Sequence, residues 1–309
     1  GGGRPGRITL DNDATLTTSH SAKQGAAGTY KGGYGFHPLL CYLDETDEAL
    51  AGVLRPGNAG ANTASDHIEV LSRAVCPLPD DRPDEVLVRC DSGGATHDLT
   101  QVVCEMGFCF SVGYDLTQTV REAILAVPER EWTPAVEAGG EIRDGAWVCE
   151  LPLDLAANGW PQQTRMICRR ERPHPGAQLS FTDQDGYRFQ AFITNQSDPD
   201  IAVLELRHRH RARVEDRIRN AKDTGLRNLP FSDLAMHTAW LTLVLIAQYL
   251  LAWTQHLLLA GQLTPCSPKR LRYPLLPVAA RLTPPARRPH LPRPRSTPCR
   301  HTPLPASTT

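Results

Sequence analysis

The sequence predicts an α/β fold: a mixed sheet with flanking helices, interrupted by an all-β stretch ahead of the last helical region. Over residues 7–131, strand-length apolar runs alternate with helix-length amphipathic ones. Residues 132–200 show no helical period and offer short alternating runs broken by Gly, Pro and Asp-Gly turns. Helical patterns return over 201–264, so a core of 7–131 and 201–264 carries a β-rich insertion of 132–200. Residues 1–6 read as a linker or truncated edge, and 265–309, with twelve of the chain's 26 prolines, as a Pro/Arg-rich disordered tail.

Each element has a local reason. In ITLDNDATL, residues 8, 10, 14 and 16 are apolar and 9, 11, 13 and 15 polar, the period of a strand, which puts Asp11 and Asp13 on one side. Carboxylates so spaced can approach one cation together, although Asp-Asn-Asp is also a common turn composition. Gly32, Gly33 and Gly35 release the backbone ahead of a strand over 38–43 and suit a hairpin as readily as a phosphate-facing loop. ALAGVLRPGNAG is a third strand ending in a turn at 55–60, after which Thr63 and Ser65 can cap a helix through Ile68, Val70, Leu71 and Val75.

Residues 86–90 form a strand that is apolar apart from Arg89 and runs into Asp91-Ser92-Gly93-Gly94, ahead of a helix over about 96–107. An acid at the end of a buried strand is a common way to present chemistry. An Asx cap on an ordinary strand-to-helix turn explains the same residues. FCFSVGYD is a further strand and LTQTVREAILAVP a further helix, completing the order β-β-β-α-β-α-β-α.

Residues 204–225, LELRHRHRARVEDRIRNAKDTG, concentrate charge on a helix. At ~100° per residue, His208, Arg211 and Lys222 share the face of Glu215, beside an apolar stripe of Val214, Ile218 and Ala221. A carboxylate held among cations next to a buried face suits a site for a metal and a phosphodiester. A solvated face laced by i,i+4 pairs accounts for the same run.

Composition narrows the class. The net charge of −1 hides a split, since 269–309 hold nine Lys and Arg and no acid, leaving 24 basic against 34 acidic side chains in 1–268. A net-acidic body is no simple electrostatic glove for DNA, so any contact must come from local patches. Nine cysteines without a CxxC pair argue against a disulfide framework and a zinc module. With no signal peptide at the start, a reducing cytosol is the simplest compartment. Residues 239–259 are long and apolar enough to span a bilayer. Thr238, Thr242, Gln248, Thr254, Gln255 and His256 recur through this region and favour a buried core helix, with no membrane role.

Four segments, in order over about residues 7–280, carry a family resemblance: DxDAT at 11–15, TYKGGYGFHPLL at 29–40, VRCDSGG at 88–94, and the RxxxExxxxxxK pattern of Arg211, Glu215 and Lys222. They resemble the DDE transposases of bacterial insertion sequences, and look closest to insertion-sequence family 1380. The resemblance implies an RNase H-like fold whose sheet carries two aspartates, whose later helix brings a glutamate, and whose all-β insertion lies between. It implies Asp13, Asp91 and Glu215 as catalytic residues and metal ligands, with Asp11 the alternative to Asp13. His208, Arg211 and Lys222 would contact DNA, His208 standing where the family has tyrosine.

The resemblance also implies two Mg²⁺ ions, or Mn²⁺, and cleavage at element ends followed by strand transfer. The implied partners are terminal inverted repeats, target DNA and a second copy in a homodimer on DNA, within nucleoid-associated bacterial cytoplasm. Hard carboxylate oxygens suit such ions, and a two-ion site can activate a nucleophile and stabilise the leaving oxygen of an in-line displacement. The chain starts almost at the first strand, where family members carry a helical DNA-binding segment, and the resemblance fades after about residue 278. An inactive transposase fragment retaining at most weak DNA binding is therefore the rival expectation. Trp132, Trp147 and Trp160 are base-stacking candidates for which core packing is the plainer role.

Overall fold

A computed structural model describes residues 6–79, 81–83, 85–173, 183–184, 186–264 and 266–275. The expected linker, apart from Gly6, and the expected tail beyond 275 lie outside the described residues. The chain runs β1 (Arg7–Ala14), then β2 (Thr17–Thr18), β3 (Ala27–Gly28) and β4 (Tyr34–Phe36) as a small sheet, then β5 (Leu39–Leu43), β6 (Ala49–Val53) and α1 (Ala64–Val75). Next come β7 (Glu85–Cys90), α2 (His97–Glu105), β8 (Cys109–Tyr114) and α3 (Gln118–Ala126). The insertion supplies β9 (Thr133–Val136), β10 (Ile142–Leu151), β11 (Arg165–Glu171), β12 (Asp183–Gln184) and β13 (Tyr187–Thr194). Helices α4 (Ile201–Arg209), α5 (Arg213–Ala221), α6 (Leu234–Trp253) and α7 (Pro268–Leu275) follow, so the stretch expected to be a disordered tail begins with a helix.

The strand order β6-β5-β1-β7-β8, with β5 antiparallel to the other four, is RNase H-like. The strands expected to form an insertion are continuous with this sheet. β13 pairs antiparallel with β8, and the sheet continues through β11, β10 and β9. An unpaired edge on β8 would leave a row of backbone donors and acceptors open, and the insertion closes it.

Strand parity sorts the two faces. Ile8 and Leu10 of β1, Val86 and Val88 of β7 and Phe110 and Val112 of β8 pack beneath α1, α2 and α3 with Leu71, Leu99 and Ile124. The opposite face is covered by α5 and α6, where Val214, Ile218 and Ala221, the expected apolar stripe, meet Leu40, Tyr42, Leu241 and Val244. β1 is buried on both faces from Ile8 to Asp13, polar positions included. Trp132 and Trp160 belong to the core, and Trp132, Trp147 and Tyr187 surround the Arg170 guanidinium at 4.4, 5.0 and 5.1 Å, so packing is their role.

Three local expectations differ from the structure. Thr63 stands at the N-cap of α1, but its hydroxyl bonds the Gly60 carbonyl rather than capping the helix. The charged segment is not one α-helix: a 3₁₀ turn over His210–Ala212 separates α4 from α5, and a π turn over Lys222–Leu226 follows, closed by Gly225 at φ 135°. The apolar helix is only half a core helix. Leu234–Leu258 is long and apolar enough to cross a membrane by length and composition. His237, Leu241, Val244, Gln248 and Ala252 of α6 face inward, while Leu243, Ile246 and Leu250 are more than half exposed. Gln248 turns in because its amide reaches the Thr224 hydroxyl at 2.6 Å, whereas Thr238, Thr242 and Thr254 satisfy their hydroxyls on carbonyls one turn back.

Candidate active site

Asp13 and Asp91 come together because β1 and β7 run parallel in a fixed register. Their last paired residues are Asn12 and Cys90, so the two aspartates are the next position on each strand. Both project to the face covered by the later helices, as Asp11 and Arg89 do one pleat earlier. Asp13 is 8% exposed. One carboxylate oxygen accepts from the Ala14 N–H at 2.8 Å, and the other lies 3.5 Å from Arg211 Nη1. Burial, then the charge of Asp91 and more weakly that of Glu215, pushes its pKa up to about 7 against the pull of Arg211. Two carboxylates at adjacent strand ends cannot both ionise cheaply, and burial removes the water that would screen them.

Asp91 accepts from the Gly93 N–H at 3.0 Å and caps the 3₁₀ turn of Ser92–Gly94, so the Asx cap is present and sits at the site. Gly113 on β8 allows this placement: a Cβ there would lie 3.0 Å from Ser92 N and 3.2 Å from the Asp91 carbonyl carbon. Glu215, exposed in the first turn of α5, joins Asp91 and Arg211 in lining a cavity of about 690 Å³.

The cation positions separate. His208 and Arg211 line that cavity together with Arg169 and Arg209. The His208 ring stacks on Phe192 at 4.3 Å and its Nδ1 lies 2.9 Å from Ser111 Oγ. Burial, helped by Arg211, Arg89 and Arg169, drives its pKa down to about 3, so the ring is neutral. Arg169 pairs with Glu205 and Arg209 with Glu137, whereas Arg211 meets Asp13 alone among the described residues. Lys222 shares the helical face of Glu215 but stands seven positions on, ~10 Å along the axis. It lines a second cavity of about 380 Å³, with Ala14, Thr15 and Lys31.

One cluster is not visible as a cluster in the sequence. Asp11 is fully buried; Arg89 binds it through two nitrogens at 2.7 Å each, and Arg217 Nη1 reaches it at 2.9 Å. Asp44 closes the group, 2.9 Å from Arg89 and 2.6 Å from Arg217. Asp11 is thus held by arginines, and Asp13 is the aspartate that faces Asp91. The available signal was symmetry of spacing: each clamp residue, Asp11 or Arg217, lies two positions from a candidate acid, Asp13 or Glu215.

Among the described residues, no group of three His, Cys, Asp or Glu side chains is drawn to metal-holding distance. Cys41, Cys76, Cys90, Cys104, Cys109, Cys149 and Cys168 are free thiols, and Cys299 lies outside the described residues.

Residues 3–304 match a family model described as transposase DDE domain group 1. A piggyBac transposase, solved by cryo-electron microscopy as a synaptic complex with hairpin DNA, is similar at TM-score 0.47 and 9% identity, over 82% of this chain and 48% of that one. The chain therefore spans about half the length of that protein. No curated protein matches.

Proposed function

Since the chain belongs to the transposase DDE domain family, group 1, we propose that it is a transposase that cleaves DNA at element ends and joins the freed end to a target. In the finer reading it is a member of insertion-sequence family 1380, acting inside the bacterial cell, on terminal repeats and target DNA, as a homodimer on DNA. The observation that carries the proposal is Asp13, a buried carboxyl pushed up to about 7 by desolvation and by Asp91 one strand away. Such a group is poorly satisfied alone and fits a role at a charged reacting centre.

The donor chemistry fits a divalent metal. Asp13, Asp91 and Glu215 offer hard oxygens, and a cation would offset the desolvation and the repulsion from Asp91 that raise the Asp13 pKa. When bound, two Mg²⁺ or Mn²⁺ ions would supply activation of the attacking oxygen and stabilisation of the leaving one. The remaining work falls to the chain. Arg211, with only Asp13 as partner among the described residues, is placed to take a phosphate oxygen. Neutral His208, whose Nδ1 shares a hydrogen bond with the Ser111 hydroxyl, lines the cavity as a polar group that carries no charge. Phosphate contacts of this kind fix the register of the scissile strand without reading sequence.

A second reading, an inactive fragment that binds DNA weakly, is favoured by one observation: no three carboxylates are drawn together among the described residues. Mn²⁺ binding followed by electron paramagnetic resonance separates the two. Saturable binding lost in Asp13→Asn and Glu215→Gln supports the active transposase. Retained DNA binding with no Mn²⁺ taken up supports the fragment.

A further inference from the structure

The segment TYKGGYG folds into a hairpin whose use the acids do not explain. The Gly32 N–H donates to the Thr29 carbonyl at 3.0 Å, closing a β-turn with Tyr30 and Lys31 at its two central positions. Thr29 locks the turn further: its N–H reaches the Gly33 carbonyl at 2.8 Å, and its hydroxyl accepts from the Gly33 N–H at 3.0 Å. Gly32 takes φ 76°, which a glycine adopts without strain. The outcome is a rigid turn that holds Tyr30 73% exposed, with the Lys31 ammonium 5.6 Å from its ring. Tyr30 meets the His37 ring at 6.0 Å between centroids, a tilted contact that leaves most of the tyrosine ring in solvent.

The turn forms one wall of the cavity of about 380 Å³ whose other side is Lys222. The floor is the chain just after Asp13, from Ala14 to Thr18, three of whose members are threonines. Thr17 is 2% exposed and its hydroxyl has no hydrogen-bond partner. A buried hydroxyl without a partner is costly, and beside it Thr15 and Thr18 remain accessible in the lining. Lys222 meets no acid among the described residues. Burial, and then the charges of Arg227 and Lys31, hold its ammonium below the usual range, a repulsion that an anion would relieve.

We propose that this cavity is a nucleotide subsite: Lys31, Lys222 and the threonine hydroxyls hold one backbone phosphate of a DNA strand, and Tyr30 stacks on the unpaired base beside it. The inference rests on the transposase reading and deepens it. Arg211, which lines the first cavity, reaches Asp13 at 3.5 Å, while the second opens at Ala14, its chain neighbour. A strand crossing Asp13 therefore has cations on both sides. An aromatic platform accepts any base, because every base has a π-face, so the subsite selects for an unpaired nucleotide and not for a sequence.

The test is fluorescence anisotropy of the full chain with a labelled single-stranded oligonucleotide and the same sequence as a blunt duplex. The wild type is expected to prefer the single strand. Tyr30→Ala is expected to weaken single-strand binding by roughly 5- to 100-fold with little effect on duplex. Lys31→Ala is expected to lower the slope of log affinity against log salt by about 0.7 for the single strand. Both residues are exposed, so circular dichroism should show the wild-type fold. Wild-type affinities in both variants, with Mn²⁺ binding at the acids intact, would overturn the subsite and leave the transposase reading standing. A wild type that binds neither probe and no Mn²⁺ would overturn both. Displacement of the oligonucleotide by millimolar inorganic phosphate, equally in wild type and Tyr30→Ala, would mark a free-phosphate site and overturn the nucleotide assignment.

Discussion

Arg217 Nη1 of α5 lies 2.9 Å from Asp11 Oδ2 of β1. Glu215 is two residues before one partner, and Asp13 two residues after the other. The pair therefore ties the helix that carries one acid to the strand that carries another. Arg89 and Asp44 complete a group in which each buried charge faces an opposite one.

Breaking this clamp should cost more than a surface pair. Arg217→Ala leaves the buried carboxylates with one guanidinium fewer, and is expected to cost about 3–5 kcal/mol of stability. Urea unfolding at pH 7 measures it. A loss under about 1 kcal/mol would mean that apolar packing of Val214 and Ile218 alone seats the helix.

The acids should be dispensable for folding and required for chemistry. Asp91→Asn and Glu215→Gln are each expected to abolish Mg²⁺-dependent nicking of plasmid DNA while leaving the thermal midpoint within a few degrees, since charge changes and size does not. Undiminished nicking by either variant would remove that residue from the site.

Asp13 should make metal-free stability pH-dependent in a known direction. Its pKa is raised from 3.8 to about 7, so the folded state binds the proton more tightly than the unfolded state. Its ionisation therefore destabilises the fold, by nothing below about pH 4 and by a growing amount as pH rises to 7. At ~1.4 kcal/mol per unit the full effect is on the order of a few kcal/mol. Asp13→Asn is accordingly expected to be more stable than wild type at pH 8, with the gain vanishing near pH 4. A pH-independent difference in denaturant midpoint would contradict the assignment.

Lys222 and Arg211 should differ in effect because they line different cavities. Lys222→Ala is expected to lower the salt slope of single-strand binding by about 0.7, the signature of a single phosphate contact. Arg211→Ala is expected to slow nicking at saturating DNA, because Arg211 touches Asp13. Equal effects of both variants on both readouts would contradict the separation.

Much of this architecture was legible in the chain. Period-two and helical runs gave the order of strands and helices, since amphipathic elements must bury one face. Asp91 stood out because it ends an apolar strand, whereas Asp13 was distinguished from Asp11 only by the family resemblance; Val214, Ile218 and Ala221 were legible because their spacing marks one side of a helix. The run of short strands after residue 132 was legible too, yet not its pairing onto the sheet, because strand partners are chosen by edges that exist only once β8 is in place.

Tertiary structure decided the rest. Helical spacing grouped Lys222 with Glu215 by angle, but a rise of ~1.5 Å per residue carries it past the acids into the next cavity. The sequence displayed Asp11, Arg89 and Arg217 only as an alternative ligand, an interruption in an apolar strand and one charge among many. Their partners lie 78 and 206 residues apart, and only the parallel register of β1 with β7 and the docking of α5 bring them together. Local pattern determines which element a residue enters. Which charges share a buried space is set by long-range contact, and there desolvation makes pairing obligatory.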